Sequence, residues 1–246
     1  MNYIVLLAYN ESKNIKELLQ TIRDVLTKND IISKIVVVDD GSEDDTLEIL
    51  KLLKKDFDNL VILSHYKNLG VAAAFRTGLT YVSKVAVDTD NIITMECDMT
   101  NDPCLLPEIV KQLQKGYDIV VASRNIKGGG YLGFPLKRFI ISKIANLLFS
   151  LLFPTKGMTD YTIFYRGYKA KLIKNLVDKY GEDFITTEGF SSNFEIFLRC
   201  RKWTDKICSI PLVYRYYLKK SKSKMRILKN LIEYIFLILD YLREKK

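Results

Sequence analysis

The sequence predicts an α/β fold in which a mostly parallel central sheet carries helices on both faces. Short apolar runs alternate with segments of helical period, which is the pattern of βαβ units. The runs are apolar nearly throughout, as strands buried on both faces require. Two of them end in carboxylates, Asp39-Asp40 and Glu96-Cys97-Asp98. Parallel strands present their C-terminal ends along one edge, where open α/β sheets bind ligands.

The elements follow in order. Ile4 to Ala8 is a buried strand, and residues 12–27 have helical period with Ile15, Leu18, Leu19, Ile22, Val25 and Leu26 on one face; Ser12 is the expected N-cap. Ile35 to Val38 is the second strand, and helical spacing resumes over 47–56. Leu60 to Ser64 is the third strand, and Asn68-Leu69-Gly70 opens a helix rich in small residues. Asn91 to Met95 is the fourth strand; Pro103 closes the acidic turn and a helix over 104–115 follows. Tyr117 to Ala122 is the fifth strand.

Residues 139–153 form an apolar helix, shorter than the ~20 residues a bilayer requires. It suits either the core or a membrane interface, with Lys137, Arg138 and Lys143 toward headgroups. Residues 170–202 read as helical, and 206–217 as the last strand region. Residues 227–242 are apolar but interrupted by Lys229, Asn230, Glu233 and Asp240 and flanked by basic residues, which predicts an amphipathic helix.

Composition narrows the chemistry. With 246 residues and 48% apolar content the chain can bury one large core or two small ones. A formal charge of +9 points to anionic partners such as nucleotides or phospholipid headgroups. His65 is the single histidine, so a multi-histidine metal site is excluded. Cys97, Cys104, Cys200 and Cys208 lack metal-binding spacing and read as reduced thiols. The N-terminus lacks the features of a signal peptide. No phosphate-binding glycine loop of the dinucleotide or P-loop type occurs, and no nucleic-acid motif, so nucleic acid is not an expected partner.

Glu96 and Asp98, two residues apart at a strand end, can converge on one point. Two such carboxylates suit a hard divalent cation, and that cation suits a diphosphate; an acidic loop is the plainer alternative. Asp39-Asp40 with Gly41 fits either a helix-capping turn or a contact to a ribose or base N–H.

Four motifs occur in sequence order: Tyr9-Asn10-Glu11, Val37-Val-Asp39-Asp40-Gly41-Ser42-x-Asp44-x-Thr46, Asn68-x-Gly70-x-x-x-Ala74-x-x-x-Gly78 and Glu96-x-Asp98. Together they resemble the family-two glycosyltransferases of GT-A fold. Asn101-Asp102-Pro103, Ser123-Arg124, Lys137-Arg138-x-x-x-Ser142 and Asp160-x-Thr162-x-x-Tyr165-Arg166 resemble the polyprenyl-phosphate branch, typified by dolichol-phosphate mannose synthases. The departures are Glu96 for the usual first Asp, Leu7 for a proline, and Ile163-Phe164 for a Ser/Cys-Gly pair.

The resemblance implies an inverting transfer of a sugar from GDP-mannose or a UDP-hexose to a polyprenyl phosphate, with Mg²⁺ or Mn²⁺. It implies a nucleotide-sugar site of Ala8, Tyr9, Asn10, Glu11, Asp39, Asp40, Gly41, Asn68, Gly70, Arg76, Glu96, Cys97 and Asp98. Asp98 is the expected principal metal ligand and Glu96 the second. Catalysis is expected at Asp98, Arg124, Asp160, Arg166 and Glu195, and acceptor-phosphate binding at Arg124, Lys137, Arg138 and Ser142. The basic stretch from Lys219 to Met225 resembles a loop that closes over the diphosphate.

The expected organisation is a catalytic domain over 1–217, with a nucleotide-sugar half (1–124) and an acceptor half (125–217), then a basic loop and amphipathic helix over 218–246. Peripheral attachment to the cytoplasmic face of a membrane is expected, with a homo-oligomer or membrane-protein partner possible. Two other functions remain open. One is the same fold acting on a hydroxyl acceptor, with Asp102, Asp160 or Glu195 as general base; the other is a non-catalytic membrane-binding module.

Overall fold

A computed structural model describes residues 1–220 and 227–243. The chain opens β1 (Asn2–Ala8), α1 (Ile15–Lys28), β2 (Ser33–Asp39), α2 (Thr46–Leu53), β3 (Leu60–Ser64), α3 (Val71–Val85), β4 (Asn91–Glu96), α4 (Leu106–Gln114) and β5 (Ile119–Ser123). Its second half adds β6 (Gly130–Leu132), α5 (Leu136–Leu152), β7 (Arg166–Lys169), α6 (Ala170–Tyr180), α7 (Ser192–Cys200), β8 (Ile207–Pro211), β9 (Val213–Arg215) and α8 (Ile227–Arg243).

The central sheet runs β3-β2-β1-β4-β7-β5-β8. All its pairings are parallel except those of β7, which lies antiparallel between β4 and β5. Register decides where function can sit: Ala8 pairs with Asp39, and Leu7 with Glu96, so the ends of three strands lie level on one edge. The short pair β6-β9 forms a separate parallel ribbon above that edge.

Strand β7 is absent from the sequence expectation because Arg166-Gly-Tyr-Lys169 has no apolar run. It forms because tertiary context fixes it. A Cβ on Gly167 would meet Ile109 Cγ2 at 2.5 Å and Leu113 Cδ1 at 3.0 Å, so α4 lies almost directly on this backbone and glycine is required. The helix expected over 170–202 is two helices, α6 and α7, separated by residues that shape the site. Helix α1 starts later than expected, at Ile15 with Asn14 as N-cap; the Ser12 N–H instead donates to Asp44 Oδ2.

Helix α5 lies on the surface. Only Asn146 and Phe149 of it are buried, while Leu136 and Leu151 are 71% and 69% exposed. Helix α8 packs beside it through Tyr234 on Phe149 (5.0 Å between ring centroids) and Tyr241 on Phe153 (5.2 Å). Asn230, Leu237 and Tyr241 form its buried stripe, but Ile232, Ile235, Phe236 and Leu239 remain exposed. It is therefore apolar on two sides rather than one. No described helix is long and apolar enough to cross a membrane. All four cysteines are free thiols.

Candidate active site

A cavity of about 1020 Å³ opens at the C-terminal edge of the sheet. Of the residues expected at the site, it brings together Ala8, Tyr9, Glu11, Asp40, Asn68, Gly70, Arg76, Glu96, Cys97, Asp98, Arg124, Arg138 and Ser142. Asn10, Asp39, Gly41, Lys137, Asp160, Arg166 and Glu195 lie outside its lining.

The acid wall comes from the turn after β4. The strand ends at Glu96, and the turn that follows has Met99 in a left-handed backbone (φ 64°). Asp98 Oδ1 accepts from the Thr100 N–H and hydroxyl. Its Oδ2 is ion-paired with Lys219. Glu96 Oε2 accepts from Asn101 Nδ2 at 3.1 Å and the Tyr214 hydroxyl at 3.5 Å. Burial and then the charge of Asp98 push the Glu96 carboxyl up to about 7, with Lys219 and Arg124 pulling the other way. Burial opposes the Lys219 charge, but Asp98 and Glu96 hold its pKa above the ordinary lysine value.

These residues fit a divalent cation. Among the described residues there is no cluster of three or more acidic, histidine or cysteine side chains that could hold a metal, so a cation beside Glu96 and Asp98 would need further ligands from outside such a cluster. Mg²⁺-type ions are commonly held in this way, by one or two carboxylates with substrate phosphate and water completing the shell. That an ammonium rests on Asp98 Oδ2 shows the position selects for positive charge.

Loops after β1 and β2 form the opposite wall and brace one another. Asn10, itself left-handed (φ 54°), receives the Glu43 N–H on its side chain and gives its own N–H to Ser42 Oγ. The Glu11 N–H donates to Thr46 Oγ1. Gly41 sits at φ 65°, where a Cβ would be 2.1 Å from the Lys67 backbone. Asp40 accepts from the Leu69 and Gly70 N–H groups, both at 2.9 Å, and its Oδ1 bonds His65 Nδ1 at 2.7 Å. His65 Nε2 reaches Thr77 on α3 at 2.8 Å. The Asp40 carboxylate thus fixes the 68–70 turn, and any ligand contact falls to the remaining lone pair on Oδ2. Asn10, Asp39 and Gly41 support this wall from behind; the Ser42 N–H, for example, donates to Asp39 Oδ2.

The cationic side is smaller than expected. Arg124 pairs bidentately with Asp160, Nε to Oδ2 at 2.7 Å and Nη2 to Oδ1 at 2.8 Å, and lies 4.9 Å from the Tyr131 ring. Burial disfavours the Asp160 charge, yet Arg124 and two backbone N–H groups outweigh it and hold the carboxyl below its ordinary value. Asp160 therefore positions Arg124 rather than reaching the cavity. Arg138 Nη1 donates to the Tyr216 hydroxyl at 3.3 Å at the mouth. Arg166, expected in catalysis, is fully buried and donates to the carbonyls of Asn193, Asp160 and Tyr161. From β7 it reaches into the core beneath α7, over the Phe197 ring (5.3 Å). Lys137 is solvent-exposed on α5, outside the cavity lining.

Glu195 is fully buried. It accepts from the Thr186 and Thr187 N–H and hydroxyl groups and pairs with Arg199 at 2.7 Å, so it orders the segment that leads to Glu188. Residues 188–190 line the cavity and are held from the other side by α8: Asn230 Oδ1 accepts from the Phe190 N–H at 2.8 Å, and Glu233 Oε2 from the Gly189 N–H at 2.9 Å. Glu188, Phe190, Tyr214, Asn230 and Tyr234 are lining residues that sequence reasoning missed. The signal available was the polar interruption of α8 by Asn230 and Glu233. Lys222, Ser223, Lys224 and Met225 of the basic loop lie outside the described residues.

Comparison with known proteins identifies the fold and the family. An undecaprenyl-phosphate 4-deoxy-4-formamido-L-arabinose transferase of Salmonella choleraesuis is 31% identical over 178 residues, 71% of this chain and 50% of that protein. The chain thus spans about half the length of the curated relatives it matches. Mannosyl-3-phosphoglycerate synthase from Rubrobacter xylanophilus superposes with a TM-score of 0.72 at 16% identity, covering 100% of this chain and 75% of that one. Glucosyl-3-phosphoglycerate synthase from Mycobacterium tuberculosis, solved with Mn²⁺, UDP-glucose and phosphoglyceric acid, gives 0.68 at 18% identity, with 98% and 79% covered. These likenesses bear out the α/β fold of GT-A type. Residues 3–177 match the family described as Glycosyl transferase family 2, and the chain belongs to it.

Proposed function

We propose that the protein transfers a sugar from a nucleotide-sugar to a polyprenyl phosphate at a membrane surface, with a divalent cation held by Glu96 and Asp98. One observation carries the choice of acceptor. Helix α5 lines the cavity with Arg138, Ile141, Ser142 and Ala145 and, from the same turns, exposes Leu136, Ile140, Ile144, Leu147 and Leu151. A phosphate can enter beside the arginines while its hydrocarbon tail stays on an apolar surface continuous with the lipid. The Salmonella relative, an undecaprenyl-phosphate transferase by name, supports the same reading.

The bound cation would neutralise the diphosphate as it leaves. The chain's own residues do the rest. The loops of Asn10, Asp40 and Gly70 hold the nucleotide. Arg124, with Nε and Nη2 committed to Asp160 and Thr162, offers Nη1 to the incoming phosphate, and Arg138 offers its guanidinium at the mouth. A phosphate oxygen attacks the anomeric carbon as the bond to the diphosphate breaks, which inverts that centre. The nucleophile is already an anion, so no general base is needed; fixed charges and orientation lower the barrier.

The hydroxyl-acceptor alternative needs a free carboxylate. Asp102 is paired with Arg215 at 2.8 Å, Asp160 with Arg124, and Glu195 is saturated as described. Those engagements favour the phosphate acceptor. Peripheral membrane attachment follows from the exposed apolar residues of α5 and α8 beside Lys137 and Lys143. Incubation with UDP- or GDP-sugars, Mn²⁺ and polyprenyl phosphate is expected to give a chloroform-soluble sugar lipid that Asp98→Ala abolishes. Absence of such product with every donor tried would sink the proposal; function undiminished in Asp98→Ala would point to a non-catalytic module.

A further inference from the structure

We propose that Lys219 is an internal stand-in for the divalent cation, occupying the one Asp98 oxygen that the cation needs and leaving it when the cation binds. The inference rests on the reading of Glu96 and Asp98 as the cation's ligands. Both hydrogen-bonding positions on Asp98 Oδ1 are taken, by the Thr100 N–H and hydroxyl. Oδ2 is the oxygen left for a cation, and the Lys219 ammonium is ion-paired with it. The contact is sheltered, with side chains 15% and 5% exposed for Lys219 and Asp98. Ammonium and metal therefore compete for one atom.

The segment is built for exchange. The backbone of Lys219 is anchored, its N–H donating to the Tyr216 carbonyl at 3.1 Å, while the ammonium sits at the end of a four-carbon stem of rotatable bonds that lines the cavity. Its neighbour Lys220 is tied to Glu17 of α1 at 2.9 Å, half exposed, a contact that contributes little and breaks easily. Without Lys219, Glu96 and Asp98 would face each other as buried like charges, which is costly in a low-dielectric site. With it, one of the two carboxylates is paired. When the cation arrives with a diphosphate, the displaced ammonium lies beside two new anionic groups and transfers its contact to them. The lysine then changes from competitor to donor ligand without a backbone rearrangement.

The test separates those two roles by sign. Mn²⁺ binding, read as loss of the free-ion EPR signal, is measured for the parent, Lys219→Met and Lys219→Arg, first with Mn²⁺ alone and then with UDP or GDP. Lys219→Met should bind Mn²⁺ alone at least about tenfold more tightly, since a mostly buried charge no longer opposes it. In the presence of nucleoside diphosphate it should bind Mn²⁺ no better than the parent, because the second contact is lost. Lys219→Arg should stay near the parent in both. On the unaltered protein, acylation of Lys219 followed by mass spectrometry should rise when Mn²⁺ is added. Mn²⁺ affinity unchanged or weakened in Lys219→Met, or acylation indifferent to Mn²⁺, overturns the proposal while leaving sugar transfer intact. Failure of parent and variants alike to bind Mn²⁺, with or without nucleotide, overturns the cation itself.

Discussion

Replacing Asp160 by asparagine strips the partner from a guanidinium that is only 7% exposed. Arg124 gives Asp160 two side-chain hydrogen bonds and a backbone N–H at 3.2 Å, and the Thr162 N–H adds another at 3.2 Å. Breaking a buried ion pair from one side leaves an uncompensated charge and costs about 3–5 kcal/mol, whereas removing both charges costs much less. Asp160→Asn should therefore lower stability by about 3–5 kcal/mol, or about 6–20 °C in Tm for a chain of this size. Arg124→Met/Asp160→Asn should be more stable than Asp160→Asn alone. Urea unfolding of the parent, both single variants and the double variant measures the coupling. The pH dependence has a definite sign. Asp160 has a lowered folded pKa, so its stabilisation is present above the ordinary value of 3.8 and is lost as pH falls through the folded value; Asp160→Asn should lack that acid limb. A loss under about 1 kcal/mol, or a double variant destabilised by the sum of the singles, would refute the view that Asp160 exists to carry Arg124.

Glu96 has the opposite sign: its folded pKa is about 7 against an ordinary 4.5, so the cation-free protein should lose stability as pH rises through that window, and Glu96→Gln should flatten the trend in thermal melts. In the same window Mn²⁺ binding should strengthen with pH, read by the same EPR titration. Leu147→Glu/Leu151→Glu, on the exposed face of α5, should abolish co-sedimentation with anionic vesicles while leaving Mn²⁺ binding unchanged; retained sedimentation would remove that face from the membrane. Glu233→Ala frees the Gly189 N–H and the Ser191 hydroxyl at a cost of about 1–3 kcal/mol, and should weaken binding of UDP or GDP with Mn²⁺ in a thermal-shift assay.

The parallel half of the fold was legible because its strands are continuous apolar runs and their ends carry the acids. Register then does what the sequence pattern promises, bringing Ala8, Asp39 and Glu96 level. Glu96 and Asp98 both line the cavity as expected, although the strand itself ends at Glu96 and Asp98 lies in the turn that follows. Arginines were the weak point. A guanidinium bound for phosphate and one bound for buried carbonyls look alike in sequence; Arg124 and Arg166 separate only when β7, which has no periodic signal, inserts between β4 and β5. Asp160 and Glu195, expected in catalysis, lie outside the cavity lining, and each engages another group, Arg124 in one case and Thr186 and Thr187 in the other.

Helix α8 touches both the cavity wall and the exposed apolar surface. Its sequence shows polar residues breaking an apolar stretch, which on a surface helix reads as a solvent face. In the fold, Asn230 and Glu233 point inward and hold Phe190, Gly189 and Ser191, and Asn230 and Tyr234 line the cavity itself. The exposed Ile232, Ile235, Phe236 and Leu239 lie on other sides of the same helix. Whatever covers those residues therefore also steadies the 188–190 wall. A lipid surface contacting them would bias α8 toward its docked position, and by linkage a ligand that needs the wall in place would bind more tightly on the membrane than off it.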